Sequence, residues 1–163
     1  MAPTTGPGGP GATESEDGVE RFTASCTVGA RPEVLWDVLT DPARVHRWLT
    51  VAHGVRTEDP WGDGQRLLVQ GGHLGVRRDV EVAVDVWDPP NRYGWALDDP
   101  LPVRFRFALA ALDLADVDRG TRLDAHVDAD LSGLPRLGTR VAVRSLRREF
   151  TWSIDTLARL ATG

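Results

Sequence analysis

Several features that mark common protein classes are missing from this sequence. Its one cysteine, Cys26, allows no internal disulfide and no cysteine cluster for zinc. No apolar run reaches the ~18 residues that a membrane-spanning helix needs. All 19 basic residues are arginine, and 24 acidic residues outnumber them, giving a net charge of −5. This balance argues against a nucleic-acid-binding protein, and we expect a cytoplasmic protein without a membrane span.

Motifs of several large enzyme classes are missing too. The sequence contains no G-x-S-x-G nucleophile elbow, no H-E-x-x-H zinc motif and no lysine-containing P-loop. We therefore expect neither a metal nor a nucleotide cofactor.

The 163 residues indicate one folded domain preceded by a tail. Residues 1–18 are rich in proline, glycine and acidic residues and carry no large apolar side chain after Met1, which predicts a disordered tail. They also lack the basic and apolar regions of a signal peptide. Residues 19–163 are enough to bury a core without disulfide or metal staples.

Alternation of apolar and polar residues predicts strands over most of the domain. In residues 19–28, Phe22, Ala24, Cys26 and Val28 share one face. In residues 76–86 the valines share a face and the acidic residues face water. Similar patterns and turn residues indicate further strands at 55–60, 65–70, 92–97, 102–112 and 121–131. These seven segments predict an antiparallel sheet with one solvated face.

Three segments have helical spacing instead. Pro32 suits the first position of a short helix, and an Asp41 cap followed by Pro42 starts a second one. Residues 136–160 form a long amphipathic helix with apolar residues at every third or fourth position, namely Val143, Leu146, Phe150, Ile154, Leu157 and Leu160.

This element order predicts an α+β helix-grip fold. A curved antiparallel seven-stranded sheet must wrap around the long C-terminal helix, because little else is present to cover its apolar face. The two short helices after the first strand would close one end. Such a concave apolar space is where small ligands bind.

The motifs resemble those of a known family. The opening FTASCTVGARPEVLWDVLTDPARVHRWL, the turn WDPPNRYGW and the C-terminal RREFTWSIDTLARL are similar to the SRPBCC (START-like, helix-grip) superfamily, and most of all to its bacterial polyketide cyclase/dehydrase-type branch. The resemblance covers the chain from residue 19 to about residue 160. It implies a ligand cavity, but the superfamily includes cyclases, dehydratases, lipid carriers and resistance proteins.

The predicted phases supply candidate cavity residues. Inward-facing positions, together with two tryptophans on helices, give a predicted ligand-binding wall of Trp48, Leu67, Val69, Val82, Val84, Trp95, Phe105, Phe107, Ala125, Val127, Phe150 and Trp152. The valine face sends most charges to the outside, so we expect a hydrophobic small-molecule partner.

Three residues are candidates for catalysis. Tyr93 shares a face with Trp95, and its phenol is suited to bonding a carbonyl group or to donating a proton. His73, near the rim, is a candidate proton shuttle, and Arg47 near the mouth is suited to a carboxylate or enol oxygen. Each also has a simpler interpretation: a wall residue for Tyr93 and solvated surface groups for the other two.

Two functions remain open at this point. The first is a cofactor-independent cyclase/dehydratase of bacterial secondary metabolism, in which positioning of the substrate supplies much of the rate. The second is a non-catalytic carrier or sequestering protein for a lipid-like or aromatic ligand, as a monomer or homodimer. An interaction module is a weaker third possibility. An enzyme needs at least two convergent polar groups in the pocket, whereas a carrier needs one or none.

Overall fold

The computed structural model describes residues 15–16, 18–57, 62–73, 76–99, 101–114 and 117–163. Eight strands and three helices follow one another in these residues, in the order β1 (Ser15–Glu16), β2 (Val19–Val28), α1 (Pro32–Thr40), α2 (Pro42–Trp48), β3 (Ala52–Arg56), β4 (Arg66–His73), β5 (Val76–Asp88), β6 (Arg92–Leu97), β7 (Val103–Leu114), β8 (Val117–Asp130) and α3 (Arg136–Thr162).

The strands form one antiparallel sheet in the order β1-β2-β8-β7-β6-β5-β4-β3. Seven of them correspond to the predicted strands. The eighth is the two-residue β1, whose Ser15 and Glu16 pair with Glu20 and Val19. Because β1 lies within the predicted tail, ordered structure begins before residue 19. Apart from Gly18, the rest of that tail lies outside the described residues.

The alternation predicted for the strands is confirmed. In β8, Leu123, Ala125, Val127 and Ala129 are almost fully buried, and the residues between them face outward. In β7, Phe107 and Leu109 are buried while Arg104 is exposed. One face of the sheet therefore forms the core, as alternating sequences require.

A β-bulge in β5 changes the predicted phase. Val84 pairs with Trp95 and Trp87 pairs with Tyr93, although Val84 and Trp87 are three residues apart. Directly paired residues share a face, so the bulge brings Trp87 to the inner face. The prediction that Val86 continues the inward valine face is wrong, because Val86 pairs with Gly94 on the other face.

The three helices lie where the sequence predicted them. Pro32 and Pro42 occupy the first turns of α1 and α2, and the Asp41 carboxylate accepts a hydrogen bond of 2.9 Å from the Ala43 backbone N–H. The long helix α3 packs mainly against β2, α1 and α2. The sheet thus curves around α3, which is the helix-grip arrangement. No helix in the described part of the chain is both long and apolar enough to cross a membrane.

Ion pairs cover the outer face of the sheet. Arg106 donates to Asp85 at 2.8 Å, and Arg56 donates to Asp79 at 2.7 Å. The Arg106 side chain crosses Gly94 on the neighbouring strand, where a Cβ atom would lie 2.9 Å from the Phe105 carbonyl oxygen and 3.0 Å from the Arg106 Cδ. Glycine at residue 94 therefore lets this arginine lie flat on the sheet.

Candidate functional site

Two small cavities lie inside the fold, and the indole of Trp48 borders both of them. The larger has a volume of about 40 Å³ and the smaller about 10 Å³. Trp48 is the last residue of α2 and is 1% exposed. The predicted ligand cavity is thus small in this structure, because aromatic rings fill much of the interior.

The larger cavity lies between α3 and the sheet. Its wall is mostly apolar and combines inward residues of β2, β7 and β8 with the segment after α2 and the inner face of α3: Phe22, Trp48, Leu49, Val51, Phe105, Phe107, Val127, Leu146, Glu149, Phe150, Ser153 and Ile154. This composition matches that of small-molecule sites, in which a few polar groups interrupt an apolar surface.

Glu149, Ser153 and Thr50 form a polar group at the wall of the larger cavity. Thr50 Oγ1 donates to Glu149 Oε2 at 2.6 Å and lies 3.3 Å from Ser153 Oγ. Since a hydroxyl has one hydrogen, the bond from Thr50 to Glu149 leaves Ser153 as the donor in the second pair. Ser153 also accepts a bond of 3.3 Å from the Thr50 backbone N–H. The result is a short hydroxyl chain that ends on a carboxylate.

The Glu149 carboxylate is mostly shielded from solvent. Its side chain is 18% exposed, and Arg148 lies 3.3 Å from its other oxygen, Oε1. The two oxygens thus have different neighbours, a hydroxyl on the inner side and a largely exposed guanidinium on the outer side. The carboxylate also lies in the wall of the larger cavity and is therefore a candidate proton acceptor for a ligand there.

The smaller cavity shares Trp48 and Leu49 with the larger one. Its wall consists of apolar and aromatic residues from α2, β3, β4, β5 and β6: Val45, Trp48, Leu49, Val55, Leu67, Val69, Val82, Tyr93 and Trp95. Tyr93 contributes the one phenol to this wall and is 1% exposed. It packs edge-on against Trp36 and Trp87 and stacks on Phe107, with ring centroids 5.9 to 6.1 Å apart.

Most of the predicted wall residues lie at these cavities. Phe105, Phe107, Val127 and Phe150 border the larger one, and Leu67, Val69, Val82 and Trp95 border the smaller one. Val84 and Ala125 are buried in the core but border neither. That these residues contact a ligand stays a prediction.

One predicted position is wrong. Trp152 is 59% exposed on the outer face of α3, because two residues along a helix turn the side chain by about 200° from the buried Phe150 and Ile154. Arg47 is exposed on α2, as a position near the mouth allows, and lines neither cavity, so its role stays a prediction. His73 ends β4 opposite Val76, and its side chain lies outside the described residues.

Sequence reasoning missed Glu149 and Ser153. The stripe predicted for the long helix included only apolar positions, yet both residues lie on the same helical stripe as Leu146, Phe150 and Leu157, at spacings of three and four. Polar residues on an otherwise apolar stripe were the available signal. Thr50 lies between α2 and β3, and no pattern in the sequence marked it.

A curved sheet around a terminal helix, with an apolar interior between them, defines a helix-grip protein. Residues 19–162 match the family described as "Polyketide cyclase / dehydrase and lipid transport". This match spans most of the chain, so the chain belongs to that family, as the resemblance implied. The family is one of hydrophobic-ligand proteins.

Solved structures have the same fold at low sequence identity. The Zhui aromatase/cyclase from a Streptomyces species is 16% identical, with a TM-score of 0.72, and the match covers 88% of this chain and 93% of that one. A START superfamily protein from Mycobacterium smegmatis is 16% identical, with a TM-score of 0.66, over 87% of this chain and 99% of that one. At this identity the similarity shows the fold alone.

A curated relative matches over a shorter segment. An uncharacterised protein of Mycobacterium tuberculosis is 30% identical over 69 residues, which are 41% of this chain and 48% of the relative. The chain thus spans about half the length of the curated relative that it matches.

Proposed function

We propose that this chain binds a flat hydrophobic small molecule between α3 and the sheet and acts on it as a cofactor-independent cyclase/dehydratase. The observation that carries the proposal is the Glu149 carboxylate in the wall of an otherwise apolar cavity. A carrier needs no carboxylate at this position, and burying one has a cost that a purely apolar wall avoids. An enzyme that removes a proton next to a carbonyl group needs a base of this kind.

The proposed step conserves atoms and electrons. Glu149 takes a proton from the carbon next to a substrate carbonyl, and the electron pair of that C–H bond forms an enolate. The enolate carbon attacks a second carbonyl of the same substrate and forms a C–C bond. The new alkoxide takes a proton back from Glu149, and water is lost when a further α-proton and this hydroxyl leave. Neither an oxidant nor a reductant is required.

Binding requires more space than the larger cavity encloses in this structure. A volume of about 40 Å³ is far below the ~300–1,000 Å³ of typical ligand sites. The first half of α3 is the element best placed to move, because residues 137–149 include no fully buried side chain among those described. Displacement of this half-helix would widen the larger cavity while the second half stays anchored.

A cavity-filling substitution tests the binding site. We expect Leu146→Trp to weaken binding of the neutral fluorescent dye aminoanthracene about tenfold, because the larger ring occupies the cavity. Leu137→Trp is the matched control, because Leu137 lies exposed on the same helix. This variant should bind the dye with the affinity of wild type. Equal affinities in all three proteins would contradict binding in this cavity.

A second experiment tests the proposed base. We expect the wild-type protein to accelerate exchange of the α-protons of β-tetralone in deuterium oxide, measured by proton NMR. Glu149→Gln keeps the shape and accepts the same hydrogen bond from Thr50, so dye displacement by β-tetralone should be retained. The exchange rate should fall by about 100-fold, the typical share of a general base.

Asp155→Asn provides the control for charge, because Asp155 is an exposed acid on the same helix. It should exchange β-tetralone at the wild-type rate. If wild type binds the dye but does not accelerate exchange, the catalytic part of the proposal fails and the carrier function is favoured.

A further inference from the structure

The Trp48 indole N–H is the one buried side-chain nitrogen or oxygen atom of the described residues that has no hydrogen-bond partner. Indole is a donor only, so this group cannot be satisfied by rotating a hydrogen or by acting as an acceptor. Buried polar groups are nearly always paired, and each exception calls for a physical reason. The exception here lies at the candidate site.

The position of the ring suggests what the missing partner is. Trp48 borders the larger cavity together with Phe107 and Glu149, and it borders the smaller cavity together with Tyr93. Its ring packs edge-on against Phe107 with a centroid distance of 5.8 Å, which fixes the orientation of the indole. The ring is therefore part of the wall of both cavities.

We infer that Trp48 Nε1–H donates a hydrogen bond to a carbonyl or hydroxyl oxygen of the bound ligand. This inference rests on the proposed function and narrows its ligand class. Because Trp48 borders two cavities with mostly apolar walls, the rest of the ligand would be hydrocarbon. The ligand class is therefore a flat hydrophobic ketone or phenol.

Trp48 would also complete the proposed chemistry. Glu149 removes a proton from carbon, and negative charge then develops on the carbonyl oxygen. A preorganised donor aimed at that oxygen stabilises the enolate more than the neutral ketone, which is the requirement for catalysis. The donor and the base lie in the wall of the same cavity.

A pair of probes that differ by one carbonyl tests this inference. Fluorenone and fluorene share a flat ring skeleton, and displacement of aminoanthracene gives the affinity of each. Without a donor in the site, fluorene should bind more tightly, because the carbonyl loses its hydration on burial. With the Trp48 donor, we expect the wild-type protein to prefer fluorenone by about tenfold.

Trp48→Phe removes the donor and keeps an aromatic ring, so it should reverse the preference in favour of fluorene. Trp95→Phe is the matched control, because Trp95 is also buried and lines the smaller cavity, and it should keep the preference for fluorenone. A preference that persists in Trp48→Phe, or one that is absent from wild type, would overturn the inference. If wild type does not bind the dye at all, the proposed function fails as well.

A second measurement uses the wild-type protein alone, so it does not depend on whether a variant folds. In protein with isotope-labelled tryptophan, the six indole N–H groups give separate NMR signals. Fluorenone should move one of them strongly downfield, as hydrogen bonding to oxygen requires, and fluorene should not. Equal shifts with both probes would contradict the hydrogen bond.

Discussion

At the scale of single residues, Cys26 shows how burial sets reactivity. It lies half-buried on the inward face of β2, where it packs against the core. Burial raises the pKa of the thiol, and the charges of Asp155 and Asp124 raise it further. A raised pKa keeps the thiol protonated at neutral pH, and the thiolate is the reactive form.

We therefore expect Cys26 to react with iodoacetamide at least about tenfold more slowly in the folded protein than in the chain unfolded by guanidinium at the same pH. The unfolded chain is the control, because it contains the same thiol without burial or neighbouring charges. The raised pKa also links stability to pH: the contribution of the protonated Cys26 thiol to the free energy of unfolding is present below its unfolded pKa and is lost as the pH rises through the folded pKa. Equal reaction rates in both states would show that Cys26 is accessible and unperturbed.

At the scale of elements, α3 has two halves with different environments. In the second half, Phe150, Ile154 and Leu157 are buried against the rest of the fold. In the first half, Leu146 is only partly buried, and the exposed side chains include Leu137 and Val141. One continuous helix is thus anchored at one end and lightly held at the other. The larger cavity lies where the two halves meet, and its α3 lining consists of Leu146, Glu149, Phe150, Ser153 and Ile154.

Two leucine-to-alanine substitutions measure this difference. We expect Leu157→Ala to lower the free energy of unfolding by about 2–4 kcal/mol, since a fully buried leucine leaves a cavity when truncated. Leu146→Ala should lower it by no more than about 1 kcal/mol, because less contact is lost. Urea unfolding followed by circular dichroism gives both values. A loss of similar size in both variants would show that the two halves of α3 are equally anchored.

At the scale of the whole molecule, the sequence predicted the fold because each apolar pattern is compatible with only one secondary structure and one buried face. Alternation over residues 121–131 allows one buried face, and the spacing from Val143 to Leu160 allows one apolar stripe. The β-bulge was not predictable, since Val84, Val86 and their acidic neighbours alternate without interruption. The orientation of Trp87 follows only from its pairing with Tyr93.

The site was less accessible to prediction than the fold. Wall residues such as Phe107 and Val127 follow from strand phase. The hydrogen bond between Thr50 and Glu149 joins residues 99 positions apart, and local patterns carry no information about such a contact. The unpartnered nitrogen of Trp48 is a property of three-dimensional packing, so no sequence signal could have shown it.

The bulge in β5 has a consequence for how a small molecule reaches the interior. Because the bulge turns Trp87 inward, Trp87 forms a cluster of aromatic rings with Trp36 and Tyr93 beside α1. That cluster fills the interior beside α1, whereas Leu146 of α3, which lines the larger cavity, is only partly buried. We therefore expect a small molecule to enter the larger cavity beside Leu146 and to leave by the same route.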